Sequence, residues 1–196
     1  VMADMAALAY RWYGAQETGS MAAQSEAFHT AFQALLNAHI PDQTVLIQRD
    51  YHAENLLWLP TRIGPARVGL LDFQDAVQGP ASYDLVSLLQ DSRRDINPSL
   101  RTKMLDRYFN GMAGKLDSEN FMTSFYALGT QRALKVFGIF TRQSLKYGNH
   151  QYLVHIPRLW HHTLKNLSMP QLRPIKDWLL NNVSEDAINA EIASNT

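Results

Sequence analysis

The spacing of apolar residues divides the chain into a helical frame interrupted by one stretch of strand texture. Residues 2–13, rich in Ala, Met and Leu, predict a first helix that breaks at Gly14–Gly19. Ser20 is placed to cap a second helix reaching about Ala38, in which Phe28, Phe32, Leu35 and Leu36 recur at helical spacing, and Pro41-Asp42 stops it. The texture then changes. Val45-Leu46-Ile47, Leu56-Leu57-Trp58-Leu59 and Val68-Gly69-Leu70-Leu71 are short apolar runs, with Pro60, Gly64 and Pro65 between the second and third as a hairpin turn requires. Three strands this short cannot form a core by themselves, so the pattern predicts a small accessory sheet that carries loops.

After Pro80 the helical pattern resumes. It predicts helices over about 84–90 and 99–109, then a long one capped by Asp117 or Ser118 and reaching about Tyr147, with Gly129 and Gly138 as weak points. Pro157 and Pro174 fit the first turns of helices ending near Leu167 and Asn181. Ser184 is placed to cap a final short helix, and residues 193–196 are expected to fray.

Composition narrows the classes of function. The chain has 196 residues with 18 basic and 18 acidic side chains, so net charge is zero and a large basic field for nucleic acid or anionic lipid is disfavoured. Cys is absent, which excludes disulfides, thiolate metal sites and a Cys nucleophile. No apolar run is long enough to span a membrane and the first residues do not resemble a signal peptide, so the cytoplasm is the expected location. Val1 stands where an initiator Met would be expected, which suggests either a chain cut from a longer one or a processed terminus.

The chemistry concentrates in Gln48-Arg49-Asp50-Tyr51-His52-Ala53-Glu54-Asn55 and Leu71-Asp72-Phe73-Gln74-Asp75. Asp50 and Asn55 lie between the first two strands, and Asp72 ends the third, where a charged side chain faces outward at the rim of the sheet. Two carboxylates and an amide suit phosphoryl transfer, in which one carboxylate accepts a hydroxyl proton while the amide oxygen and the other carboxylate hold magnesium against nucleotide phosphates. Singly, Asp50 reads more readily as a helix cap and Asp72 as a strand-end turn residue than as catalytic groups.

Taken in order, Arg-Asp-x-x-x-x-Asn, an apolar strand ending in Asp, and the later Gly79-Pro80-Ala81-Ser82-Tyr83-Asp84 resemble the aminoglycoside phosphotransferase and choline kinase branch of the protein-kinase-like superfamily. Arg49-Asp50-Tyr51-His52, Asn55-Leu56-Leu57-Trp58-Leu59-Pro60, Leu71-Asp72-Phe73-Gln74-Asp75-Ala76 and Asp91-Ser92-Arg93-Arg94-Asp95 are more narrowly similar to bacterial kinases of N-acetylmuramate or N-acetylglucosamine. The resemblance implies Asp50 as catalytic base, Asn55 and Asp72 as magnesium and ATP-phosphate ligands, and Arg49 and Asp84 as structural support of the loop. Gln48 stands where many members of that branch carry His, and Phe73-Gln74 where protein kinases carry Phe-Gly, which points away from a protein substrate.

The fold class that follows is α+β and mainly helical: the C-terminal lobe of a protein-kinase-like fold, with a small β-hairpin sheet carrying the catalytic and metal loops. Residues 1–196 are expected to form one domain, because neither GxGxxG nor GxxxxGK[ST] occurs and all six Lys follow the metal-binding segment. The N-terminal nucleotide lobe is therefore expected to be missing as a partner, and the isolated chain to be close to inactive. The expected activity is ATP-dependent phosphorylation of a small-molecule hydroxyl. An amino sugar is favoured over an aminoglycoside because only six Glu and twelve Asp oppose a polycation. The competing class is a non-catalytic pseudokinase-like or fused binding module.

Other polar and aromatic residues leave alternatives open. His52, Arg93 and Arg94 are placed for substrate contact, against packing beneath the loop for His52 and pairing with Asp91 or Asp95 for the arginines. His150, His155, His161 and His162 match no zinc spacing. Trp12, Tyr13, Tyr152 and Trp160 read as core rather than sugar-stacking rings, and Arg132, Lys135 and Arg142 as a solvated helix face.

Overall fold

The computed structural model describes residues 2–4, 6–7, 21–40, 45–112 and 115–183, with the backbone alone for 21–24. The expectations for Trp12, Tyr13, the Gly14–Gly19 break, Ser20, Pro41-Asp42, Ser184 and the last residues lie outside them. The chain divides into two compact units, Pro41–Phe125 on one side and Val1–Ile40 with Tyr126–Thr196 on the other.

The second of these units holds a helical core. Helix α1 (Met21–His39) buries Phe28, Phe32, Leu35 and Leu36, the residues that recur at helical spacing, and the rings of Phe28 and Phe32 stack at 5.5 Å. Among the described residues, four strands and two α-helices lie between α1 and residue 112 and belong to the other unit. Further along the chain, α4 (Ser118–Tyr147) runs for 30 residues without a break at Gly129 or Gly138. Its residues from Tyr126 onward bury Leu134, Phe137 and Phe140, so packing offsets the loss of about 1 kcal/mol in helix propensity at each Gly.

Arg132, Lys135 and Arg142 are half-buried, which corrects the expected solvated face. A helix flanked by core on most sides has no wholly wet surface, and long basic side chains cover apolar neighbours with their stems. A 3₁₀ segment, His150–His155, precedes α5 (Ile156–Asn166). Another, Pro170–Leu172, precedes α6 (Arg173–Asn182). Both helices carry Pro in the first turn, where its missing N–H costs nothing. Trp178 of α6 meets Phe28 of α1 at 4.8 Å, and Trp160 is buried, as expected of a core aromatic.

The unit Pro41–Phe125 contains all of the strand structure described. Strand β1 (Val45–Ile47) pairs antiparallel with β4 (Val77–Gly79), and β2 (Leu56–Trp58) with β3 (Val68–Leu70). The hairpin expected around Pro60, Gly64 and Pro65 is present. Gly64 takes φ +59°, Gly64–Arg67 forms a 3₁₀ turn, and the Leu59 N–H donates to the Arg67 carbonyl at 2.8 Å.

The expected single three-stranded sheet is corrected to two separate pairs with a fourth strand. Three residues ending in Gly79 before Pro80 offer no local periodicity, and β4 exists because β1, some thirty positions earlier, supplies its hydrogen bonds. Helix α2 (Ser82–Leu89) then buries Tyr83, Val86 and Leu89. Asn97 caps α3 (Pro98–Gly111) by accepting from the Ser99 N–H at 2.9 Å. Tyr108 and Phe109 of α3 pack on Phe121, in the first turns of α4, with ring centroids 5.2 and 5.3 Å away. Asp117 caps α4 through the amides of Glu119 and Asn120.

Candidate functional site

The residues between β1 and β2 form a loop closed by its own hydrogen bonds. The Asp50 N–H donates to the Gln48 carbonyl at 2.9 Å, the His52 N–H to the Asp50 carbonyl at 3.0 Å, and the Asn55 N–H to the His52 carbonyl at 2.9 Å. Residues Ala53–Asn55 wind into one 3₁₀ turn that delivers Asn55 to the start of β2.

Arg49 takes φ +70° in this loop, and Asp72 takes φ +55° immediately beyond β3. Left-handed backbone costs a non-Gly residue about 1–2 kcal/mol and persists only where surrounding bonds enforce it. For Arg49 those bonds come from α2. Asp84 accepts the Gln48 N–H on one carboxylate oxygen at 2.8 Å and the Arg49 N–H on the other at 3.1 Å. The first turn of α2 thereby clamps the start of the loop.

Asn55 ties the loop to both flanks. Its Nδ2 donates to the Asp50 carbonyl at 2.9 Å and lies 3.4 Å from His52 Nε2, while its own carbonyl accepts from the Leu71 N–H at 2.9 Å. A carbonyl oxygen only accepts, so the amide nitrogen faces Asp50, and Oδ1 points away from both partners. With an N–H directed at it, His52 Nε2 is placed to accept, and Nδ1 is buried without a partner. His52 is therefore turned in toward Asn55.

Since Leu56 pairs with Leu70, the bond from Leu71 to Asn55 extends the β2–β3 ladder by one step, which sets Asn55 and Asp72 diagonally at one end of the hairpin. Asp72 is exposed, and Gln74 Nε2 donates to its Oδ1. The loop hydrogen bonds thus gather Asp50, His52 and Asn55, and the hairpin register adds Asp72.

Tyr51 lies within this region, and burial, reinforced by the negative charge of Asp84, pushes its phenol above the ordinary value of 10.0. Among the described residues no group of three or more His, Cys, Asp and Glu is arranged to hold a metal ion. His150, one of the four clustered histidines, bonds instead through Nδ1 to Ser144 Oγ at 2.7 Å.

The two arginines set apart by the sequence differ. Arg93 pairs through Nε with Glu54 of the 3₁₀ turn at 3.5 Å, and its backbone N–H donates to Asp91 at 2.9 Å. The guanidinium therefore pairs with the loop and not with Asp91 or Asp95, as pairing within its own segment would require. Arg94 is exposed and has no ion pair or hydrogen bond among the described residues. Glu54 and Asp91 carry no individual signal in sequence; Glu54 stands out only as the charged member of the segment between Asp50 and Asn55.

Large apolar side chains surround this region without cover. Leu46 is 72% exposed, Trp58 63%, Ile63 90% and Phe73 61%. Arg67 stacks over the Trp58 ring at 4.6 Å. Exposed apolar surface concentrated on two short sheets is unusual for a surface meant to face water.

Residues 3–116 match the model of the phosphotransferase enzyme family. The chain is 44% identical over 137 residues, 70% of its length, to an N-acetylmuramate/N-acetylglucosamine kinase of Caulobacter vibrioides, of which this covers 38%. It is 33% identical over 154 residues (75% of its length, 45% of the relative's) to a kinase of the same description in Neisseria meningitidis. A third, from Pseudomonas putida, is 31% identical over 156 residues (76% and 44%). The chain thus spans less than half the length of these curated relatives. With the family match extending from residue 3 through the loop, the hairpin and α3, the chain belongs to the phosphotransferase enzyme family.

Proposed function

We propose that the protein containing this chain transfers the γ-phosphoryl group of ATP to a hydroxyl of an amino sugar of the N-acetylmuramate or N-acetylglucosamine type. The observation that supports this reading is the Asp50–Asn55–Leu71 hydrogen-bond chain, which brings the backbone of Asp50, of Asn55 and, one residue past Leu71, of Asp72 to one end of the β2–β3 hairpin. The relatives' descriptions supply the acceptor class.

Asp50 is the catalytic base. Its loop is pinned at three points, which fixes the backbone from which its carboxylate would accept the acceptor's proton. As the acceptor oxygen bonds to the γ-phosphorus, the bond from that phosphorus to the β–γ bridging oxygen breaks, the acceptor proton passes to Asp50, and ADP leaves.

Asn55 Oδ1 and the Asp72 carboxylate would hold a magnesium ion. Both are hard oxygen donors, and Mg²⁺ takes one or two such ligands from protein and completes its shell with phosphate oxygens and water. When bound, the ion neutralises charge on the phosphates. His52 fits the same assignment, because its Nε2 faces the Asn55 amide nitrogen, which leaves Oδ1 turned away from the loop, while its Nδ1 is buried without a partner. Asp84 and Arg49 are structural.

We further propose that this chain is the C-terminal lobe and that a preceding lobe supplies the remaining nucleotide contacts. The exposed apolar surface on both small sheets and the partial span of the relatives support this. The decisive test is phosphorylation of N-acetylmuramate and N-acetylglucosamine by the full-length protein, wild type and Asp50→Ala. Loss of at least about a thousandfold in turnover is expected from removal of a core catalytic group. Unchanged turnover removes Asp50 from its role.

A further inference from the structure

Resting on that reading, we propose that Arg93 is the specificity residue that recognises a carboxylate on the acceptor sugar, and so separates acidic from neutral amino sugars. Three observations converge on it. The first is position. Arg93 contacts Glu54, which lies in the 3₁₀ turn between Asp50 and Asn55, so its guanidinium is held against the catalytic loop itself. Glu54 stands four positions after Asp50 and directly before Asn55, so the guanidinium is tied to the segment that carries both.

The second is the state of the guanidinium. Glu54 is approached by Nε, the side chain is 35% exposed, and among the described residues no other carboxylate meets it. The Nη1 and Nη2 edge is thus left to a ligand, and two parallel N–H donors match the two oxygens of a carboxylate. One neighbouring carboxylate orients this Arg without covering the fork it presents.

The third is the anchor. Asp91 is 4% exposed and accepts the Arg93 N–H on Oδ1, while its Oδ2 is buried with no partner. A carboxylate just past the C-terminal end of α2 also opposes the helix dipole. An arrangement this unfavourable for the fold, kept where it sets the backbone of an arginine that pairs with the loop, fits a positioning role. Asp91 fixes where Arg93 starts and Glu54 where it points.

The two acceptors that name the relatives separate the effects, because N-acetylmuramate is N-acetylglucosamine with an added lactyl ether carboxylate. The test is kcat/KM of the full-length protein for both sugars in the wild type and in Arg93→Leu, Arg93→Lys and Arg94→Leu. Arg93→Leu should lower kcat/KM for N-acetylmuramate at least about tenfold more than for N-acetylglucosamine, equivalent to about 1.4 kcal/mol. Arg93→Lys, which keeps the charge and loses the fork, should lower the ratio between the sugars at least about threefold.

Arg94→Leu should leave that ratio unchanged. If Arg93→Leu does not fold, seen as loss of turnover on both sugars together with loss of the thermal transition, the ratio in Arg93→Lys decides. An unchanged ratio in the folded Arg93 variants, or an equal fall for both sugars in a folded variant, overturns the proposal. Failure of the wild type to phosphorylate either sugar overturns the underlying functional reading instead.

Discussion

Removing the Asp84 carboxylate should release the catalytic loop before it disturbs anything else. Asp84 accepts two backbone N–H groups, from Gln48 at 2.8 Å and Arg49 at 3.1 Å. Hydrogen bonds to a charged acceptor contribute about 1.5–3 kcal/mol each. Asp84 is only half-buried, so solvent screens its charge and water can reach the freed amides, which lowers the expected total for Asp84→Ala to about 2–4 kcal/mol. Relief of the left-handed backbone at Arg49 returns about 1–2 kcal/mol of that locally. The loop then relaxes into other conformations, and with Asp50 as the proposed base a shift of about 1 Å is expected to lower turnover about a hundredfold.

The assay is a urea titration of the full-length protein combined with hydrogen exchange at the Gln48 and Arg49 amides, for wild type, Asp84→Ala and Asp84→Asn. Asp84→Asn retains one acceptor oxygen and should show about half the loss in stability. Exchange at those two amides equal to wild type in Asp84→Ala, with an unmoved urea midpoint, would refute the reasoning, since the clamp would then not hold the loop.

Two further outcomes follow from the same region. In Gly79→Ala the new Cβ would lie 2.6 Å from Cγ1 of Ile47, which is 3% exposed, so β1 and β4 must separate at a cost of about 1–3 kcal/mol; thermal melts should show the loss, and Ile47→Ala in the same chain should recover part of it. The raised phenol of Tyr51 gives alkaline destabilisation: the folded state holds its proton above pH 10.0 while the unfolded state releases it, so stability is fully present below that pH and falls as pH rises through the folded value. Phenolate absorbance should show Tyr51 ionising late, and Asp84→Asn should bring its ionisation down toward the value that burial alone sets; a transition at the ordinary position in wild type would contradict the burial.

Local chemistry made much of the fold legible from the chain alone. Phe28, Phe32, Leu35 and Leu36 mark one helix face, Gly64 and Pro65 mark the hairpin, and Asp117 and Pro174 mark helix starts, because periodicity, left-handed turns and capping each act within a few residues. The order Arg49-Asp50, Asn55, Asp72, Asp84 was legible for the same reason: it is a sequence of local signals. What those residues touch was not. The pairing of β1 with β4, the grip of Asp84 on amides 35 and 36 positions away, and the reach of Arg93 to Glu54 all join segments distant in the chain. Their existence depends on closing long loops against conformational entropy, which only packing elsewhere can offset. Thus the chain by itself determined which side chains are candidates for phosphoryl transfer, whereas the tertiary structure decided that His52 turns toward Asn55, that Arg93 faces the loop, and that the apolar faces of both small sheets stand open.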